Sequence, residues 1–378
     1  MREWTSEQEL LGNTLEAFAQ QELAPKAHAL DESEGFNREA FHKMAELGLL
    51  GITVPEELGG AGLGCVEATL AMEKMGAVCA SSTLSYLAHA ILCVNNLREN
   101  ASDEQKRKYL PDLISGKKLG AMAMTEPGAG SDALGLSTQA RKNGDHYVLN
   151  GSKTFITNGP VADTFVVYAK TGASKKEIST FIVEKGFEGF KVGRKLSKLG
   201  MRASPTSELS FENCKVPLSN LVGRENDSVS HMMRNLNIER ITISGISIGL
   251  AQACLEYSTR YAIERKQFGE AIGQFQMVQE RLAEMATETA AARALVYQAA
   301  RAYDAGDRQM TLGAMSKLFS AQIATRAGLE AIQILGGYGY MKEYPVERFM
   351  RDAKLMEIGA GTNEIMRILI ARSLVEKE

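Results

Sequence analysis

The spacing of apolar residues changes twice along this 378-residue chain, and those two changes constrain its architecture more tightly than any single residue. From Ser6 to about Leu119, apolar residues recur at helical intervals, as in Leu11, Leu15 and Phe18 and again in Phe41, Met44 and Ala45. Pro25, Pro55 and Gly59-Gly60 punctuate that segment. From about Gly120 to Val222 the pattern turns to short β-rich runs, at 146–149, 164–168, 179–183 and 208–211. Asn150-Gly151 sits between two of these runs, and it has the favoured composition of a tight hairpin turn, whose central positions need positive φ. From about Glu225 onward, long helical patterns return through 281–306 and 311–335. The expected fold is α+β in three parts: an N-terminal helical domain over 1–119, a small antiparallel β domain over 120–224, and a C-terminal helical bundle over 225–378.

Composition removes several function classes. Hydrophobic residues at 44% and charged residues at 24% describe an ordinary globular protein. A net charge of −3 without a basic stripe gives no reason to expect nucleic acid, so an anionic ligand would have to be held by local groups. Cys65, Cys79, Cys93, Cys214 and Cys254 are odd in number and widely spaced, with neither a Cys-x-x-Cys pair nor a nearby His at zinc spacing. Reduced thiols and no metal site are expected, and His28, His42, His146 and His231 add no metal spacing. The opening segment Met1 to Glu7 lacks the apolar core of a signal peptide and is too acidic for a transit peptide. The apolar run from Ile241 to Leu255 is interrupted by Ser, Gly and Gln and is too short to span a bilayer. These features suggest a cytoplasmic protein, with a mature mitochondrial-matrix protein as the alternative.

Five blocks carry the chemistry. They are Met122-Ala123-Met124-Thr125-Glu126-Pro127-Gly128-Ala129-Gly130-Ser131-Asp132, Asn150-Gly151-Ser152-Lys153-Thr154-Phe155-Ile156-Thr157-Asn158-Gly159, Arg265-Lys266-Gln267-Phe268-Gly269 with Phe275-Gln276, Gln333 to Tyr340, and Arg351 to Ile365. Taken alone, the turn from Gly128 to Asp132 reads more readily as a capped tight turn than as a cofactor loop. Gly128-x-Gly130-x-x-Ala133 also fits a relaxed dinucleotide fingerprint, but no apolar strand leading in and no long helix leading out is expected there. All five blocks, in this order on a helical-β-helical layout, resemble the acyl-CoA dehydrogenase family across essentially the whole chain.

The resemblance implies an FAD enzyme acting on an acyl-CoA, passing electrons to an electron-transfer flavoprotein, and assembling as a homotetramer. It implies flavin contacts from Met122, Met124, Thr125, Gly130, Ser131, Phe155, Ile156 and Thr157. Arg265 and Gln276 would reach the pyrophosphate side of a flavin held mainly by a neighbouring subunit, where Ile334, Leu335, Gly336 and Gly337 bring backbone close. Thr362, Asn363 and Glu364 are implied to face the cofactor as well, and Ser131, Ser230, Asn237, Arg240, Ala360 and Gly361 the acyl-CoA.

One departure decides the reading. Most family members carry Glu immediately before the Gly-Thr pair, and this chain has Ala360 before Gly361-Thr362. Removing a proton α to a thioester needs a carboxylate of raised proton affinity and donors at the carbonyl oxygen. Ala360 keeps the backbone donor and lacks the carboxylate. A replacement is available on another helix, where Met232, Leu236, Glu239, Ile243, Ile246 and Leu250 recur at alternating spacings of four and three. Glu239 is the one charged member of that stripe, and Asn235, Leu236, Thr242 and Ile243 offer it no cation on its own helix. Desolvation there would raise its pKa toward that of a general base. Pairing with a cation from another element is the competing reading of the residues alone. The isovaleryl and long-chain branches of the family place their base on this helix, in a Glu-Arg pair matched by Glu239-Arg240. The small pair Gly359-Ala360, the stretch 84–89 and Asn158-Gly159-Pro160 resemble the isovaleryl branch. The expected activity is dehydrogenation of a short, branched acyl-CoA to its trans-2-enoyl-CoA. The alternatives are longer, cyclic or isoprenoid acyl chains, and a flavin- and CoA-binding assembly protein without catalysis. His89 is expected to be a packed or CoA-side residue and not an acid-base group, and the absence of Lys or Arg over 80–91 disfavours a substrate with a second carboxylate.

Overall fold

The computed structural model describes residues 4–375; Met1, Arg2 and Glu3 of the opening segment lie outside the described residues. Helix α1 (Ser6–Phe18) begins at Thr5, where the Thr5 and Gln8 side chains each accept the other's backbone N–H. Helices α2 (Ala24–Ser33), α3 (Arg38–Glu46), α4 (Cys65–Leu87), α5 (Asn96–Asn100) and α6 (Asp103–Ile114) follow. Helix α4 kinks at Cys79 and runs on through a π-helical stretch, Ala88–Asn95, into α5. The carboxylate of Asp304 accepts the Cys65 and Val66 amides at 2.7 and 2.9 Å. It thus places negative charge at the positive end of α4.

The middle of the chain forms β1 (Gly120–Ala123), β2 (Gln139–Asn143), β3 (His146–Thr157), β4 (Thr164–Lys170), β5 (Ile178–Glu184), β6 (Phe190–Lys195), β7 (Thr206–Pro217) and β8 (Leu221–Val222). They join in the order β6-β7-β3-β2-β4-β5-β8, with β1 beside β4. Each β-rich run in the sequence lies in a strand, in β3, β4, β5 and β7. The sheet is antiparallel in the main; β1 runs parallel to β4 because the chain makes its β2–β3 excursion before returning. An apolar strand does therefore precede the Gly128-x-Gly130 turn, but only one 3₁₀ turn, Ala133–Gly135, separates that turn from β2. No βαβ unit forms.

The hairpin expected at Asn150-Gly151 lies elsewhere. Both residues are inside the unbroken β3, where Gly151 (φ 147°) marks a register shift against β7. A Cβ on Gly151 would come within 2.6 Å of Thr138, so glycine serves the bulge and not a turn. The hairpin turn is Gly144-Asp145, between the paired Asn143 and His146, with Gly144 at φ 62°.

The C-terminal part contains α7 (Ser228–Glu264), the short ribbon β9 (Lys266–Gln267) and β10 (Glu270–Ala271), α8 (Gln276–Asp304), α9 (Met310–Leu335), α10 (Val346–Met356) and α11 (Asn363–Val375). Helix α7 is buried on every side over residues 235–251. The stripe through Glu239 is therefore not a distinct buried face. Small residues make this possible: a Cβ at Gly245 or Gly249 would meet the carbonyl oxygens of Thr69 and Glu73 at 2.5 and 2.4 Å. Helices α4 and α7 thus pack backbone against backbone. Against the expectation from the interrupted run 241–255, two segments, Cys65–Asn100 and Ser228–Glu264, are long and apolar enough to cross a bilayer. In each, 89% of the apolar window is buried inside the protein, as in core helices of a globular fold.

Candidate active site

Glu239 is 6% exposed, and its Oε2 atom has no hydrogen-bond partner among the described residues. Burial pushes its carboxyl up to about 7, against the opposing pull of Arg240 and Lys317. Neither cation forms an ion pair with it within 4.0 Å. They are turned to the segment that contains Ala360. Arg240 Nε donates to the Ala360 carbonyl at 3.2 Å, and Lys317 Nζ donates to the Gly361 carbonyl at 2.7 Å and to Asn363 Oδ1 at 3.3 Å. Ala360 and Gly361 both have positive φ, 56° and 93°. The Ala360 amide finds no acceptor among the described residues.

The amino-terminal half of α7 packs on the loop after β1. Met232 and Leu236 cluster with Ala129, Leu136 and Tyr168, against the half-buried Met122 and Met124. That loop is anchored to β3 by the Thr154 amide on the Thr125 carbonyl at 2.9 Å, and by Lys153 Nζ on the Met124 carbonyl at 3.0 Å. Lys153 also pairs with Glu126 at 2.8 Å, both side chains being buried. Burial alone would raise the Glu126 carboxyl; Lys153 and the Ser137 and Thr138 donors outweigh it and hold it down at about 2. The second block meets the kinked helix where Asn158 Nδ2 donates to the Ser85 carbonyl at 2.8 Å.

The residues present fit FAD at two places. The half-buried Thr125 and Thr157 and the exposed Ser131 have side-chain hydroxyls without a partner among the described residues, suited to the polar edge of a flavin ring. Exposed Phe155 stands at φ 57° just before buried Ile156, while a Cβ on Gly130 would meet nothing within 4 Å. Elsewhere Arg265, Ile334, Leu335, Gly336 and Gly337 line one cavity of about 450 Å³. Arg265 has no carboxylate partner among the described residues, and a Cβ on Gly336 or Gly337 would meet nothing within 4 Å. A free guanidinium beside exposed backbone suits a pyrophosphate.

The remaining implied residues have these positions and partners. Gln276 opens α8, is exposed, and does not line that cavity. Ser230 is exposed, its hydroxyl donating to Asp227, and it lies nine residues before Glu239, roughly 13 Å along the helix. Asn237 donates to the Arg308 carbonyl at 3.2 Å. Thr362 Oγ1 accepts the Ile365 amide at 3.3 Å, and Glu364 pairs with Arg367 at 3.2 Å. His89 is fully buried, accepting from the Gly120 amide, and burial lowers its pKa to about 3; it packs, as expected. No cluster of potential metal ligands occurs among the described residues.

Lys317 escaped the sequence reading. Its one signal is a charge inside the small and apolar run Gly313-Ala314-Met315-Ser316-Lys317-Leu318-Phe319.

A three-part fold with a flavin-compatible loop on a β domain and a buried, unpaired carboxylate on the adjoining helix defines a flavin-dependent dehydrogenase. Family models agree: "Acyl-CoA dehydrogenase, N-terminal domain" matches residues 5–117, the middle domain 121–214 and the C-terminal domain 229–375. The chain is similar to the mitochondrial isovaleryl-CoA dehydrogenases of Pongo abelii, at 47% identity over 98% of this chain and 89% of that one, and of Oryza sativa subsp. japonica, at 48% over 98% and 92%. Among solved structures it is similar to a chain described under "Electron transferring flavoprotein of Acidaminococcus fermentans", at TM-score 0.97 and 40% identity, with all of both chains covered. The chain belongs to the acyl-CoA dehydrogenase family, and it is an FAD-binding oxidoreductase acting on CH–CH bonds. The reading as an assembly protein without catalysis falls away.

Proposed function

We propose that the protein converts a short, branched acyl-CoA, of the isovaleryl-CoA kind, to its trans-2-enoyl-CoA, with Glu239 as the base. The observation that carries this reading is the buried Glu239 carboxylate, with an oxygen free of partners and a pKa near 7. A base of that affinity is about half deprotonated at neutral pH and still strong enough to take an α-proton. The Ala360 amide, free of an internal acceptor, supplies a donor to the thioester carbonyl oxygen, where charge develops as the proton leaves. Arg240 holds that turn and the helix of Glu239 in one frame. FAD, when bound, supplies the acceptor for the β-hydride.

Branching is supported by the small pair Gly359-Ala360 and by the similarity to isovaleryl-CoA dehydrogenases. A single carboxyl function, the thioester, is supported by the stretch 80–91, which is buried and contains no Lys or Arg. Electrons leave to an electron-transfer flavoprotein, and the protein works as a homotetramer. The separation of the Arg265 cavity from the loop after β1 accords with cofactor contacts contributed by two subunits. Cytoplasmic residence accords with this role.

Anaerobic mixing of the FAD-loaded protein with a panel of acyl-CoAs, followed by flavin absorbance, tests the proposal. Isovaleryl-CoA is expected to bleach the flavin fastest. Faster bleaching by a long, cyclic or isoprenoid ester replaces the substrate assignment, and bleaching by none removes it.

A further inference from the structure

Lys317 is 1% exposed and forms no ion pair with a carboxylate among the described residues. An ammonium buried in this way is costly unless its protons are well used. Burial and the nearby Arg240 lower its pKa to about 8, with Glu239, Glu357 and Glu364 acting in the opposite direction. Its protons go to Gly361 O and Asn363 Oδ1. Arg240, from a different helix, takes the preceding carbonyl, that of Ala360. Two cations therefore grip two successive carbonyls of one turn.

That turn needs holding. Ala360 at φ 56° is in the left-handed region that alanine disfavours, and Gly361 follows it there. If the carbonyls were released, Ala360 would relax toward negative φ and its amide would swing with the peptide planes. Asn363, the second partner of Lys317, opens α11, so the same ammonium also fixes where the turn ends.

We propose that Lys317 is a positioning residue for the dehydrogenation: with Arg240 it clamps the Ala360 and Gly361 carbonyls, so that the Ala360 amide stays aimed at the thioester carbonyl. This rests on the assignment of that amide as the carbonyl donor. Lys317 itself touches neither substrate nor cofactor in this role.

The test uses the full-length, FAD-loaded protein and Lys317→Met. One readout is the rate of anaerobic flavin reduction by isovaleryl-CoA. The second is the absorbance of bound cinnamoyl-CoA, whose conjugated thioester shifts to the red when its carbonyl is polarised. Lys317→Met is expected to keep its FAD and bind cinnamoyl-CoA, to lose most of the red shift, and to reduce flavin roughly 100-fold more slowly, as a misplaced group would cause. Adding Ala360→Gly to Lys317→Met is expected to restore part of the shift, because glycine enters the left-handed region without the penalty. A folded Lys317→Met with the wild-type shift and rate overturns the proposal. If Lys317→Met does not fold, Lys317→Gln takes its place, with the same two outcomes deciding. Glu239→Gln serves as the control: it is expected to keep the red shift and lose reduction. Normal reduction in Glu239→Gln would instead remove the base assignment while leaving the clamp to be judged by the shift alone.

Discussion

Arg240 Nε donates to the Ala360 carbonyl at 3.2 Å, so the residue next to Glu239 is bonded to the very position where most of the family carries a catalytic Glu. A carboxylate arriving from α7 and an amide arriving from the Ala360 turn are thus held in one frame. Glu239→Gln keeps the shape and removes the basic oxygen. Flavin reduction is expected to slow by roughly two to four decades while FAD content and ligand affinity stay near wild type. Rapid-mixing kinetics check this, and an unchanged rate would sink the assignment.

The pH dependence follows from the same group. Burial raises Glu239 to about 7, and a base works only when deprotonated. The kcat/KM for isovaleryl-CoA is therefore expected to rise with pH and level off above about 7, since that ratio reports the free enzyme. A limb near the ordinary Glu value would show that the base is not this buried carboxyl.

Arg265 lies beside Gly336 and Gly337 without a carboxylate partner among the described residues, its guanidinium 5.7 Å from the Tyr338 ring centroid. Arg265→Ala is expected to weaken FAD retention by about tenfold or more, the loss of a charge-assisted contact worth roughly 1.5–3 kcal/mol. Equilibrium dialysis of the mutant against FAD measures it. Wild-type affinity would take Arg265 out of the cofactor site.

Ala360→Glu restores a side chain where Gly359 and Ala360 leave space. The added bulk is expected to lower the kcat/KM ratio of isovaleryl-CoA to butyryl-CoA by roughly tenfold or more, the usual scale of discrimination by a methylene-sized difference in a pocket. Steady-state kinetics on both esters decide it, and an unmoved ratio removes the argument for branching.

The three-part layout and the burial of Glu239 were legible because each rests on local pattern: a change of period, and a charge among apolar neighbours. What stayed hidden depends on contacts between distant segments. Lys317 acquires its meaning only from Gly361 and Asn363, which are 44 and 46 residues away. Helix α7 seemed to have one apolar stripe because Ser244, Gly245, Ser247 and Gly249 count as polar or neutral in a periodicity reading. In the fold these small residues admit the α4 backbone and bury the remaining faces. Asn150-Gly151 misled for a related reason, since glycine suits a bulge and a hairpin equally well and only pairing with β7 tells them apart. Strand β1, four residues long, was too short to show a period.

A stability measurement separates a base from a structural acid at Glu239. Its folded pKa is about 7 against the ordinary 4.5 of a solvated Glu, so the folded state holds an extra proton between those values. The carboxyl is without penalty below the lower value; it increasingly opposes folding as pH rises through the interval, and does so fully above about 7. At about 1.4 kcal/mol per pH unit, that amounts to roughly 3 kcal/mol. Glu239→Gln, neutral at every pH, is therefore expected to gain stability relative to wild type as pH goes from about 5 to about 8. A Glu239 needed to neutralise Arg240 or Lys317 would give the opposite sign, a loss of roughly 3–5 kcal/mol in the mutant at neutral pH. Paired melting curves of the two FAD-loaded proteins at the two pH values distinguish these cases. A mutant that becomes less stable than wild type as pH rises would mark Glu239 as an ion-pair partner rather than an unpaired base.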